Sequence, residues 1–357
     1  MKRGKGREPT GLEALEAAHR VAVTPFVFQT AASLISSGLL GVLGAAYGEG
    51  LTRRSIEEAL PELSGYALDV LLEAGTAFGL LRRTPSGWDV TKTGVFLLED
   101  PLVRANFDFT RDVCYKGLVH LDEALREGRP AGLVELGPWK TIYPALDELP
   151  EPARSSWFAF DHGYSDRAYE DALPIVFGDG VDKLVDVGGN TGKWAAFCCR
   201  HDPDVEVTVF DLPEQCRIVE RNLGELGFGT RVQALPIDLL TDEAFPAMDA
   251  SVWWMSQFLD CFPPATIVSI LKRARSAMKD DARLFILEPL TDRQAFDAAC
   301  ECLAAYSLYF TVMANGTSRF YSLEDFECFL AAAGFVIERV HDGLGTGHTL
   351  IACRKAA

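Results

Sequence analysis

Positive charge is what this chain is short of: 34 Lys and Arg stand against 51 Asp and Glu, a formal net charge of −17. Association with nucleic acid or anionic lipid is driven by basic patches, so neither is expected as a partner. No run of about 18 apolar residues occurs, which argues against a spanning helix, and the basic stretch Met1–Pro9 has no apolar segment of the signal-peptide kind. A cytoplasmic protein is expected. The nine cysteines (114, 198, 199, 216, 261, 300, 302, 328 and 353) include no C-x-x-C and no pairing with histidine at zinc spacing. Cys300 and Cys302 point to different faces of an expected helix, so the thiols read as reduced core residues and no metal is expected. Internal repeats and low-complexity segments are also absent.

What is present is apolar material for two cores. A length of 357 residues suits two domains, because single cores rarely grow past roughly 250–300 residues. Residues 12–100 read as a helical, winged-helix-like unit. Pro25–Leu43, Arg53–Leu60 and Gly65–Leu81 are helical, and a hairpin turns at Pro85-Ser86-Gly87. The helix in the recognition position, Tyr66–Ala74, is apolar and acidic where a DNA reader needs Lys and Arg, so this unit is expected to dimerise rather than bind DNA. Residues 101–178 read as a helical connector. From 179 to 357, strands at 182–187, 206–211, 231–236, 251–259, 283–288, 335–341 and 348–353 alternate with helices, which predicts an α/β fold with a mostly parallel sheet covered on both faces.

The chemistry starts at Leu184-Val185-Asp186-Val187-Gly188-Gly189-Asn190-Thr191-Gly192, where an apolar strand runs into a glycine-rich turn and then a helix. The glycines permit a tight turn and close approach to a ligand. A dinucleotide site would show G-x-G-x-x-G; an acid just ahead of the turn suits a cationic amine instead. Twenty-five residues on, Val207–Pro213 is a second strand ending in an acid, Asp211, followed by Leu212 and Pro213, a geometry that grips ribose hydroxyls.

These two motifs at this spacing, in a chain of this layout, resemble the class I S-adenosylmethionine-dependent methyltransferases, and more narrowly the caffeate and hydroxyindole O-methyltransferase family with its microbial small-molecule relatives. The resemblance runs from about residue 15 onward. It implies a Rossmann-like cofactor domain, a homodimer formed through the N-terminal domain, and S-adenosylmethionine as cofactor. Asp186, Gly188, Gly189 and Gly192 would cradle the methionine half, and Asp211 with Leu212 would hold the ribose. Leu235–Leu240 stands where the family has G-D-M-F, which nominates Asp238 for the adenine amino group and Leu239 and Leu240 for its ring. Ser256 and Gln257, at the end of a strand, are expected to contact cofactor or substrate.

The family's catalytic histidine is replaced. Aligned backwards from Ile270-Leu271-Lys272 without gaps, its position is Asp260, and Glu288 falls where the family has a glutamate that orients the histidine. A carboxylate near pKa 4 is a poor match to a phenol near 10 unless burial raises it. The local alternative for Asp260 is a helix N-cap before Pro263-Pro264. A second family glutamate is missing from Asn315–Ser322. His162, in the lid segment Phe158–Asp166, is the alternative base, and Tyr306, Tyr309, Phe310 and Met313 are expected to wall the acceptor pocket. The resulting expectation is O-methylation of a small aromatic acceptor. Rival readings are C-, N- or carboxylate methylation, a member diverted to decarboxylation or hydroxylation, and a metabolite-sensing winged-helix regulator.

Overall fold

The computed structural model describes residues 8–241 and 244–357, the side chain of Asp166 excepted. The chain forms two compact units that divide between Arg111 and Asp112.

The first unit opens with a 26-residue helix, Gly11–Ser36, whose start is set by a capping box. Glu13 N–H donates to Thr10 Oγ1, and Thr10 N–H donates back to Glu13 Oε2. Pro25 lies inside this helix, so it does not begin there as the sequence suggests. The break comes at Gly38, in the left-handed region at φ 79°, before the helix Leu39–Ala45. Shorter helices at Arg53–Ala59, Gly65–Ala77 and Lys92–Glu99 are each capped by a Thr or Ser hydroxyl. The hairpin strands β1 (Leu81–Thr84) and β2 (Gly87–Val90) pair antiparallel. Leu34, Leu40, Leu72 and Val90 fill the core of this unit.

The second unit is built on a seven-stranded sheet: β3 (Lys183–Val187), β4 (Glu206–Asp211), β5 (Val232–Pro236), β6 (Val252–Ser256), β7 (Arg283–Glu288), β8 (Phe335–Leu344) and β9 (His348–Lys355). Their spatial order is β5-β4-β3-β6-β7-β9-β8, with β9 antiparallel to both neighbours and the other pairings parallel. Successive strands leave β3 first on one side and then on the other, which opens a crevice at the carboxyl ends of β3, β4 and β6. Near-continuous apolar runs, such as Val252-Trp253-Trp254-Met255, fit strands buried on both faces. Two apolar clusters cover the two faces, one around Trp253 and Ile286 and the other around Trp254 and Trp194, whose rings stack at 3.9 Å.

β6 ends at Ser256, three residues short of the predicted strand. Gln257 takes a left-handed φ of 46° and Leu259–Cys261 turns into a 3-10 helix, which ends the ladder.

Candidate active site

The loop after β3 turns on Gly188, at φ 76°, where a Cβ would fall 2.2 Å from the Phe258 ring. Asn190 is also left-handed, at φ 50°, a conformation Asn tolerates better than most residues. Its backbone N–H donates to Asp211 Oδ2 at 2.8 Å, and its side-chain Nδ2 donates to Asp161 Oδ2 at 3.2 Å. Asp211 Oδ1 accepts the N–H of Leu212 at 2.7 Å, just before Pro213 starts a helix. Burial lifts the Asp211 carboxyl to about 6 against the pull of these two backbone donors.

Asp186 lies buried beneath the loop, its Oδ2 without a hydrogen-bond partner and close against Gly189. Burial, and then the nearby charge of Asp211, push it to about 8. An orphaned buried carboxylate oxygen is costly, and a bound cation relieves that cost. The donor set therefore fits a positively charged, ribose-bearing cofactor.

One cavity collects most of the expected residues. Gly188, Asp211, Leu212, Asp238, Leu239, Leu240, Gln257 and Asp260 line it, together with Tyr306, Tyr309 and Phe310. Asp238 Oδ1 accepts the N–H of Leu240 at 2.9 Å, which fixes the turn after β5. Asp186, Gly189, Ser256 and Glu288 are not among the lining residues, nor is His162, whose Nδ1 stands 3.9 Å from Asp161 Oδ2. Met313 is fully buried, its sulfur set against Gly117, and does not wall the pocket as expected. The α-helix Asp297–Tyr309 continues as a π-turn over Phe310–Ala314, and the wider turn shifts the phase on which the expectation rested.

Asp260 is buried at the cavity wall. The following helix Pro264–Ala277 has Pro263 as its N-cap and no side-chain cap, so Asp260 does not cap it. Its turn is held from three sides. Glu288 Oε1 accepts the N–H groups of Phe258 and Leu259 at 3.1 and 3.0 Å. Asn315 Nδ2 donates to Cys261 O at 2.7 Å, and the Tyr321 hydroxyl donates to Phe262 O at 2.8 Å. The segment that lacks the resembled family's second glutamate thus supports the Asp260 turn with side-chain donors to the turn's backbone carbonyls. Burial raises Asp260 to about 7, and it raises Glu288 well above the usual carboxylate range, with the charge of Asp260 adding to that rise. Of two interacting buried carboxyls, one keeps its proton.

Phe160, Asp161 and Tyr164 fall within the expected lid segment, whereas Trp157, just ahead of it, escaped the sequence reading. Trp157, Phe160, Asp161 and Tyr164 enter the cavity from the helix Ala153–Val176. Their i, i+3, i+4, i+7 spacing is the signal that could have extended that segment to Trp157. Trp157 Nε1 donates to the Tyr309 hydroxyl at 2.8 Å and joins this helix to the aromatic wall opposite. His348 is likewise new: its buried Nε2 lies 2.6 Å from Gln257 Oε1.

Known proteins resemble this chain in sequence and in fold. An O-methyltransferase domain matches residues 166–336, and a Dimerisation2-like domain matches residues 16–84. L-tyrosine C(3)-methyltransferase of Streptomyces lavendulae is 25% identical over 313 residues, 86% of this chain and 84% of that protein. O-demethylpuromycin-O-methyltransferase of Streptomyces alboniger is 29% identical over 279 residues, 76% of this chain and 71% of that protein. The crystal structure of the S-adenosylmethionine-dependent methyltransferase SibL in its apo form superposes with a TM-score of 0.74 at 23% identity, covering 96% of this chain and 100% of that one.

Proposed function

This chain belongs to the S-adenosylmethionine-dependent O-methyltransferase family, and from that premise we propose that it methylates a hydroxyl of a small aromatic acceptor with Asp260 as the base. The observation that carries this reading is Asp260 itself, buried at the cavity wall with its carboxyl raised to about 7. Against a phenol near pKa 10, an ordinary carboxylate is short by about 6 units and a carboxylate at 7 by about 3; at ~1.4 kcal/mol per unit the deficit falls from about 8 to about 4 kcal/mol.

S-adenosylmethionine, when bound, supplies a methyl group on a positively charged sulfur and departs as the thioether. Asp211 and Asp238 would hold its nucleoside, and the loop from Gly188 to Asn190 its amino-acid end. Asp260 accepts the hydroxyl proton as the oxygen lone pair forms the new bond to carbon. Glu288, in its protonated form, keeps the Asp260 turn in place without adding a second negative charge. The rings of Trp157, Phe160, Tyr306, Tyr309 and Phe310 give a flat acceptor its walls and exclude water.

A second reading is methylation of a ring carbon beside the hydroxyl, favoured by the similarity to a tyrosine C(3)-methyltransferase. Deprotonating a phenol activates both the oxygen and the neighbouring carbon, so Asp260 serves either outcome. Incubation with S-adenosylmethionine and a panel of phenols, followed by mass and proton NMR analysis of the products, distinguishes them. An O-methyl signal supports the first reading, an aryl methyl the second, and no methyl transfer to any phenol overturns both.

The Dimerisation2-like domain and the exposed apolar residues Leu12, Leu15, Val21 and Phe26 along the first helix support a homodimer. Sedimentation at micromolar concentration tests it. The nine free thiols support a reducing, cytoplasmic setting, and the net negative charge supports a small-molecule acceptor over nucleic acid or a membrane surface.

A further inference from the structure

We propose that His348 is a positioning residue that orients the Gln257 side-chain amide, so that its N–H groups face the cavity beside the glycine loop and donate to the carboxylate at the amino-acid end of the cofactor. The inference rests on the methyltransferase reading above.

His348 opens β9 and is fully buried, with Nε2 2.6 Å from Gln257 Oε1. Nδ1 is buried with no hydrogen-bond partner. A charged imidazole would need an acceptor at each nitrogen; burial instead drives this one to about 4, so it is neutral at physiological pH and carries one proton. With an amide oxygen as its neighbour, Nε2 holds that proton and Nδ1 keeps its lone pair.

The consequence falls on Gln257. Its backbone is fixed by the left-handed φ and by its N–H donating to Leu287 O at 3.0 Å. Its side chain lines the cavity. With Oε1 committed to the imidazole, Nε2 is the end left for a ligand, and both its hydrogens are donors. The sheet gives the place: Met255 pairs with Val187 in the last rung before the glycine turn, so Gln257, two residues beyond that rung, lies at the same end of the sheet as Gly188 and lines the same cavity. The carboxylates of Asp211, Asp238, Asp161 and Asp260 already supply acceptors along this cavity. The cofactor's own carboxylate needs donors. A Gln257 amide turned the other way would set oxygen against oxygen there, and the imidazole proton removes that arrangement.

The test is calorimetric titration with two probes, S-adenosylhomocysteine and 5′-methylthioadenosine, which share the nucleoside while only the first has an amino-acid end. Wild type is expected to bind both. His348→Leu and Gln257→Leu are each expected to weaken S-adenosylhomocysteine by about tenfold, the loss of one or two hydrogen bonds, and to leave methylthioadenosine within about twofold. The double variant should be no weaker than either single one. Equal weakening of both probes, or unchanged S-adenosylhomocysteine affinity in Gln257→Leu, overturns the proposal. Should His348→Leu fail to fold, Gln257→Leu and Gln257→Glu carry the test, the latter expected to weaken S-adenosylhomocysteine further by opposing two carboxylates. Wild type that binds neither probe overturns the methyltransferase reading itself, and this inference with it.

Discussion

A single oxygen of Glu288 accepts two consecutive backbone N–H groups, those of Phe258 and Leu259, immediately ahead of Asp260. The second carboxyl oxygen is buried without a hydrogen-bond partner, and burial together with the charge of Asp260 raises the group well above the usual carboxylate range. In the resembled family a glutamate orients a histidine; here the same position holds the turn on which an aspartate sits. The two carboxyls act as a unit, and changes to them should not be additive.

Asp260→Asn should lower turnover by a factor on the order of 10²–10⁴ while S-adenosylhomocysteine affinity stays within a few-fold. As the proposed base, Asp260 has to be ionised, so kcat/KM should rise with pH and level off, with a midpoint at or below about 7, because a bound cation favours the carboxylate. A rate profile from pH 5.5 to 9 checks both statements. A variant that keeps full turnover removes Asp260 as base.

Glu288→Gln retains an oxygen for the two backbone donors and should keep the fold, with turnover within about tenfold of wild type. Glu288→Ala leaves both N–H groups buried and unpaired, and should cost about 2–4 kcal/mol of stability. Urea unfolding of the two variants separates these effects, and equal stability would show that the backbone contacts count for little.

Asp186 makes the ligand-free protein sensitive to pH. Its folded value of about 8 lies above the ordinary carboxylate value near 4, so between these limits the folded state binds more protons than the unfolded one. The stability contributed by this group is therefore full below about 4 and declines as pH rises towards 8. Asp186→Asn should flatten that decline in thermal melts and raise the midpoint at pH 8. It should also weaken cofactor binding if, as proposed, the unpaired Asp186 carboxylate is relieved by the bound cation. An unaltered pH dependence of the melt would count against the assignment.

Asp211→Asn should weaken S-adenosylhomocysteine by at least about tenfold, since each charge-assisted hydrogen bond to a ribose hydroxyl is worth ~1.5–3 kcal/mol. The asparagine oxygen can accept only part of what the carboxylate does, because Asn190 and Leu212 already draw on it. Titration calorimetry gives the answer directly, and wild-type affinity would move the ribose contact elsewhere.

His162→Ala should leave turnover within about fivefold, far from the loss expected of a general base. The ring stacks on Phe158 at 6.1 Å and lies outside the cavity lining. Inactivity of this variant, combined with activity in Asp260→Asn, would transfer the base role to His162.

The sequence alone determined the parts whose causes are local. Strand β3, its glycine turn and the following helix occupy one short segment. Backbone dihedrals and apolar periodicity specify them without help from the rest of the chain, as they do Asp211 before Pro213. Most strand positions were legible for the same reason. Tertiary structure decided what depends on distant neighbours. Asp260 and Glu288 are ordinary carboxylates as letters, and their raised values come from burial and from each other. His348 meets Gln257 across 91 residues, and Trp157 meets Tyr309 across 152. The π-turn that withdrew Met313 from the pocket also follows from packing that no local pattern encodes. Burial and long-range hydrogen bonds are properties of the assembled core, so the strand, glycine turn and helix could be read from the chain while the raised carboxyls of Asp260 and Glu288 could not.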